Sequence, residues 1–202
     1  MENVWFTSDL HFMHKHILEH CPDRRLKIKN GVLSNNIDIK EHDEWLIDLW
    51  NRTINKHDRI YILGDFSFGN SEETVKILRK LNGEKHLILG NHDKSSEKLT
   101  NYFVSISQIK EIKFKKNNYD FLDEDFKIVC CHYPMMSWKD LNDGVCHIHG
   151  HCHGRIDLIN EFSSDLRVDV GIDGKLANFK FVSLEQLYQH FKEKKERYKF
   201  IV

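Results

Sequence analysis

Three apolar, β-rich runs in the first half of the chain each close on polar residues, and this recurrence constrains the fold more than any other feature. They are NVWFTSD at 3–9, DRIYILGD at 58–65 and KHLILGNHD at 85–93. The segment after the first run is polar and irregular to about Ser34. Residues 37–54 then place Trp45, Leu46, Leu49, Trp50 and Ile54 at helical spacing, which predicts an amphipathic helix. The stretch EETVKILRKL at 72–81 predicts a second helix with Val75, Leu78 and Leu81 turned inward. Strand–helix–strand alternation of this kind builds a largely parallel sheet, whose functional crevice lies along the carboxyl ends of the strands. The polar residues that close each run fall on that edge.

The second half is richer in strands. IKEIKFKK (109–116), YDFLD (119–123) and FKIVCCHYP (126–134) read as strands, separated by the turn-prone NN and DED. LRVDVGID (166–173) and SLEQLYQHFKEKKERY (183–198) supply a closing strand and a C-terminal helix. Two strand groups predict two packed sheets in an α/β fold. With two prolines and no internal repeat, low-complexity stretch or linker, residues 1–202 read as a single domain.

The formal net charge of −1 does not call for nucleic acid or an acidic membrane as partner, and the mixed-sign tail HFKEKKERYKF reads as a solvated helix face. No apolar run reaches membrane-spanning length, and the opening MENVWFTSDLH does not resemble a secretory signal. Five cysteines, an odd number with Cys130 and Cys131 adjacent, form a poor disulfide framework and fit a reducing, cytoplasmic compartment.

The stretch CHIHGHCHG at 146–154 carries four histidines at alternate positions. A small zinc module is the first reading, because Cys146, His147, Cys152 and His153 mix thiolate and imidazole. The spacing opposes it, since structural zinc sites bring one pair of ligands to a second pair further along the chain, and here all lie in nine consecutive residues. For His147 and His149, a hydrogen-bonded role on or beside a strand stands next to a functional one.

In chain order, the polar run ends are Asp9 and His11 in DLH, Asp65 in GD, Gly90 to Asp93 in GNHD, His132 in CHYP, and Gly150 to His153 in GHCH. Each piece alone is common. The ordered set resembles the calcineurin-like metallophosphoesterase superfamily over about residues 3–175, and TSDLHF and YILGDFSFG are similar to a small bacterial or phage branch. The resemblance implies a four-layer αββα sandwich of two mixed β-sheets flanked by helices. It also implies two divalent metal ions (manganese, iron, zinc or nickel), one held by Asp9, His11, Asp65 and His153 and the other by Asp65, Asn91, His132 and His151. Hard carboxylate oxygen, neutral imidazole and one shared atom suit such a pair, and Gly150 and Gly154 permit close backbone approach.

The chemistry implied is attack of a metal-bound hydroxide on phosphorus, with His92 in GNHD resembling the family's histidine that assists the departing oxygen. Asp93 reads either as the group that orients that ring or as an exposed turn residue, the latter favoured. Arg24, Arg25 and Arg155 are substrate-binding candidates through paired donors to phosphate. His14 stands where branch relatives often show HFGH, with Met13 in place of that glycine. Met135, Met136 and Trp138 read as an apolar wall for a base or lipid, or equally as core packing. GDFSFGN departs from the GDxVDRG signature of Ser/Thr protein phosphatases and disfavours that activity. The expected substrate is a phosphate ester, a diester ahead of a monoester, in the form of a cyclic nucleotide, a nucleic-acid end or a small nucleotide conjugate. The alternatives are a metal-stabilised binding module without turnover and an inactive relative, and the oligomeric state is left open.

Overall fold

The carboxyl-edge arrangement depends on which strands run parallel. In the computed structural model, which describes residues 3–29, 38–94 and 96–199, β1 (Val4–Thr7), β2 (Arg59–Ile62), β3 (Glu84–Ile88) and β4 (Ser105–Ser107) are mutually parallel neighbours. Antiparallel β9 (Val182–Ser183) completes this five-stranded sheet on the far side of β1. The second sheet has four strands. In it β5 (Ile109–Phe114) lies antiparallel to β6 (Phe126–Cys131), and β7 (Cys146–His149) and β8 (Arg167–Asp169) follow in parallel. Two mixed sheets flanked by helices make up the α/β fold.

Alternation along the strands sorts the cores. Val4 and Phe6 of β1, Tyr61 on β2, Ile128 and Cys130 of β6, and Cys146 and Ile148 of β7 share one buried cluster between the sheets. That cluster also takes Leu187, Tyr188 and Phe191 from α6 (Leu184–Tyr198). The opposite face of the first sheet, with Ile60, Ile62 and Leu87, is covered by Leu46 and Trp50 from α3 (Ile39–Thr53), by Ile54 just past its end, and by Ile77 and Leu78 of α4 (Ser71–Leu78). Each such side chain contributes about 1.5–3 kcal/mol by leaving water.

Local signals set the helix boundaries. The Asp38 carboxylate caps α3 by accepting from Glu41 N at 2.9 Å, and Asn70 with Glu73 forms a capping box that starts α4. The helix expected from Ile37 is therefore described from Ile39, and Ile37 lies outside the described residues. The inward face of α4 is Thr74, Ile77 and Leu78, with Leu81 buried beyond its end, while Val75 is only half-buried.

The segment read as irregular contains two short helices, α1 (Ile17–His20) and α2 (Asp23–Ile28), and its end near Ser34 falls outside the described residues. Four and six residues are too few to show a period. YDFLD is not a strand. It turns between β5 and β6, with Leu122 N bonded to Tyr119 O at 3.1 Å, and its apolar residues drop into the inter-sheet core. Strands β4 and β9 are too short to read from sequence. The remaining helix, α5 (Asp157–Phe162), follows the histidine-rich loop. All five cysteines are free thiols, and no helix among the described residues is long and apolar enough to cross a membrane.

Candidate metal centre

The loops leaving β1, β2, β3, β6 and β7 converge. Asp65 Oδ2 lies 3.8 Å from His11 Nε2, 3.5 Å from His132 Nε2 and 4.0 Å from His92 Nε2. Asp9 Oδ1 lies 3.9 Å from both His11 Nε2 and His153 Nε2. Asn91 Oδ1 is 3.1 Å from His132 Nε2. Ligand atoms of these candidates therefore gather in two groups, Asp9 with His11 and His153, and Asp65 with His132 and His151, while a third group joins His153 to Cys21 and Asp173. The structure brings all seven ligand candidates to one place, with Asp65 between the groups.

The separations bear on what these atoms are for. At 3.8–3.9 Å they are too long for hydrogen bonds, but near the roughly 3–4 Å that separates two ligands on one cation with bonds of about 2.0–2.2 Å. Asp9 Oδ1 and His11 Nε2 are buried with no hydrogen-bond partner, a costly state unless something else satisfies them. The residues present fit a pair of divalent ions.

Backbone strain is concentrated on the same residues. Asp9 (φ 58°), His11 (54°), Asp65 (53°), His151 (69°) and His153 (48°) all occupy the left-handed region, a conformation that persists only where the surroundings enforce it. The close approach also requires glycine. A Cβ on Gly150 would come within 2.0 Å of Ser8 Oγ and 2.4 Å of Asp9 Oδ2, and one on Gly90 within 2.3 Å of Asp65 Oδ1.

A further set of partners orients the ligands. His132 Nδ1 donates to Leu63 O at 2.7 Å, which turns its Nε2 toward Asp65 and Asn91. His153 Nδ1 bonds Asp173 Oδ2 at 2.7 Å, with Cys21 Sγ at 3.4 Å from the same nitrogen. Burial alone would lower the His153 pKa, yet Asp173, Cys21 and Asp9 pull it up to about 10, so the pocket favours positive charge at that point. Asp9 Oδ2 accepts from His151 N at 2.9 Å, and Asp65 Oδ1 from His92 N at 2.9 Å. Asp169, fully buried, accepts from Gly154 N and Gly171 N, and burial with Asp9 nearby pushes its carboxyl up to about 7.

The remaining sequence candidates separate cleanly. Asp93 is not an exposed turn residue, and it accepts from Asp65 N (2.8 Å), Phe66 N (3.1 Å) and Gly90 N (2.8 Å), locking the β2 and β3 loops together. Arg24 does not reach a substrate. It is 0 % exposed, and its donors go to both Asp173 oxygens, to the carbonyls of Asp9 and Leu10, and to His42. Arg25 is half-buried on α2, and Arg155 is exposed in the turn after His153. His147 and His149 are fully buried on β7 and hydrogen-bonded, His147 to Val129 O and Met135 N, His149 to Gly150 O and Asn160. Burial pushes them down to about 4 and about 3, and they are neutral packing residues. Trp138 packs with Val129 and Val145, while Met136 is 90 % exposed.

Sequence reasoning missed Asp169, Asp173 and Cys21. For Asp173 a signal existed, because GID closes a β-run as GD does at Asp65. Met13 adopts φ 62°, the conformation a glycine would supply, and its N–H is held by both Asp43 oxygens at 3.1 Å.

Comparison with known proteins agrees with this geometry. The family described as calcineurin-like phosphoesterase matches residues 2–173. The chain is 29% identical to the Gene 66 protein of Mycobacterium phage L5, over 93% of each chain. It is likewise 29% identical to the uncharacterized protein MJ1445 of Methanocaldococcus jannaschii, over 92% of this chain and 89% of that one. Among solved structures, the protein of unknown function AQ665 from Aquifex aeolicus superposes with a TM-score of 0.69 at 22% identity, covering 94% of this chain and all of that one.

Proposed function

Because the chain belongs to the calcineurin-like phosphoesterase family, which supports a metal-dependent phosphoester hydrolase in general, we propose that it hydrolyses a phosphate diester at a site where Asp65 would be shared between two divalent ions. The observation that carries this reading is the position of Asp65 Oδ2, 3.8 Å from His11 Nε2 on one side and 3.5 Å from His132 Nε2 on the other. Asp9, His11, Asp65 and His153 would hold one ion, and Asp65, Asn91, His132 and His151 the other. When bound, a pair of divalent cations lowers the pKa of a water and neutralises charge gathering on phosphoryl oxygens. The chain's own part is positioning. Arg155, exposed two residues after His153, is the side chain proposed to meet substrate oxygens.

His92 is proposed to protonate the departing oxygen. Its side chain is 39 % exposed, its Nε2 stands 4.0 Å from the shared Asp65 oxygen, and its backbone N–H is fixed on Asp65 Oδ1. General acid catalysis matters most for a poor leaving group. His92→Ala is expected to slow hydrolysis of an alkyl or nucleoside ester by about 10²–10⁴-fold while nitrophenyl esters lose far less. Equal slowing of both would remove the proton-donor role.

The test of the function is to load the protein with manganese, nickel or zinc and compare bis-nitrophenyl phosphate with nitrophenyl phosphate. Metal-dependent turnover with the diester ahead is expected. Uptake of two ions without cleavage of either ester would favour a binding module.

A further inference from the structure

His14 and Phe68 have no part in the site as described, yet both touch it. His14 Nδ1 lies 3.1 Å from His11 Nδ1. The Phe68 ring stacks on the His14 ring with centroids 3.8 Å apart and planes within 3°, and it also packs against His92 at 4.4 Å. Both backbones are fixed. His14 N bonds His11 O at 3.1 Å, and Phe68 N bonds Phe12 O at 2.9 Å beside the bridge that pairs Phe12 with Ser67.

Two ring nitrogens facing one another settle a tautomer. The His11 nitrogen that faces Asp9 and Asp65 is Nε2, and it has no hydrogen-bond partner. A histidine nitrogen that ligates a cation carries no proton, so with an ion bound the His11 hydrogen would sit on Nδ1. His14 Nδ1 must then accept it, leaving the His14 hydrogen on Nε2. Partners of this kind fix the ring orientation of a ligating histidine, and they are usually a carboxylate, a carbonyl or a water. Here the acceptor is a second imidazole, and Phe68 holds that imidazole in plane.

We propose that His14, clamped by Phe68, is a positioning residue that orients His11 as a metal ligand by accepting its Nδ1–H. The inference rests on the dinuclear reading above, but not on turnover. The test is titration of manganese into the metal-free protein, followed by calorimetry, with wild type, His14→Ala, His14→Asn and Phe68→Ala. His14→Ala is expected to weaken one of the two ions by about 10–100-fold and to leave the other unchanged. His14→Asn, whose Oδ1 can stand where Nδ1 stands, should recover most of that loss, and Phe68→Ala should lose less than His14→Ala. Nitrogen NMR of the zinc-loaded protein should show His14 with its hydrogen on Nε2.

Wild-type affinity in His14→Ala, a His14→Asn variant no better than His14→Ala, or His14 carrying its hydrogen on Nδ1 would each overturn the proposal. A wild type that takes up no metal would remove both this proposal and the hydrolase reading. Should the affinities follow the expected order while no ester is cleaved, only the hydrolase reading falls.

Discussion

Asp65→Asn is expected to lose about a thousandfold or more in metal-dependent turnover, several kcal/mol of transition-state stabilisation. The carboxylate presents Oδ2 to both ligand groups, and the amide that replaces it carries no charge to share between two cations and turns either an N–H or an oxygen toward them. The fold should survive. The Asp65 backbone N–H is held by Asp93, and the amide oxygen of the variant can still accept from His92 N at the Oδ1 position. Metal content by elemental analysis should fall from two ions toward one or none, while the melting temperature stays close to wild type. Full activity in a well-folded Asp65→Asn variant would remove the shared carboxylate from the mechanism.

Much of this candidate centre was legible in the sequence because each ligand candidate sits where an apolar run stops. The chain places Asp9, Asp65 and Asn91 after three parallel strands of one sheet, and His132 and His151 after two strands of the other. Run ends can be read from hydropathy alone, and parallel strands deliver their ends to one edge. The pairings that support these candidates were not legible, because each joins positions far apart in the chain. Asp173 meets Arg24 from 149 positions away, and His153 meets Cys21 across 132. No local pattern encodes such pairs. Arg155 was favoured over Arg24 and Arg25 for following the histidine segment, but that the fold buries Arg24 and exposes Arg155 was not legible, for the same reason. Strands β4 and β9 and helices α1, α2 and α5 were lost for a simpler reason, being held by tertiary contacts rather than by periodicity.

Arg24→Met is expected to destabilise the protein by about 3–5 kcal/mol, the cost of leaving a buried charge without its partner, and to lower the melting temperature by roughly 10 °C for a chain of this size. The guanidinium is fully buried, and it bonds Asp173 through Nε at 2.8 Å and Nη2 at 2.6 Å while also satisfying the carbonyls of Asp9 and Leu10. Methionine fills the space but supplies none of these donors. Lysine, a point charge without the planar fork, should recover only part of the loss. The pH dependence has a definite sign. Burial alone would raise the Asp173 pKa, but Arg24 and His153 hold it well below the usual carboxylate range. A carboxylate with a depressed folded pKa contributes stability that is complete above its unfolded value of about 3.9 and is lost as pH falls through the folded one. The difference between wild type and Arg24→Met, measured by urea unfolding, should therefore be nearly constant from about pH 5 to 7, and should shrink below about pH 4, where Asp173 without Arg24 takes up a proton that the wild-type carboxylate still resists. Arg155→Met, exposed in solvent, should change stability by less than about 0.5 kcal/mol. Equal unfolding midpoints for Arg24→Met and Arg155→Met would show that the buried pair does not hold the β1 loop, and that Asp9 and His11 are kept in their left-handed conformation by other contacts.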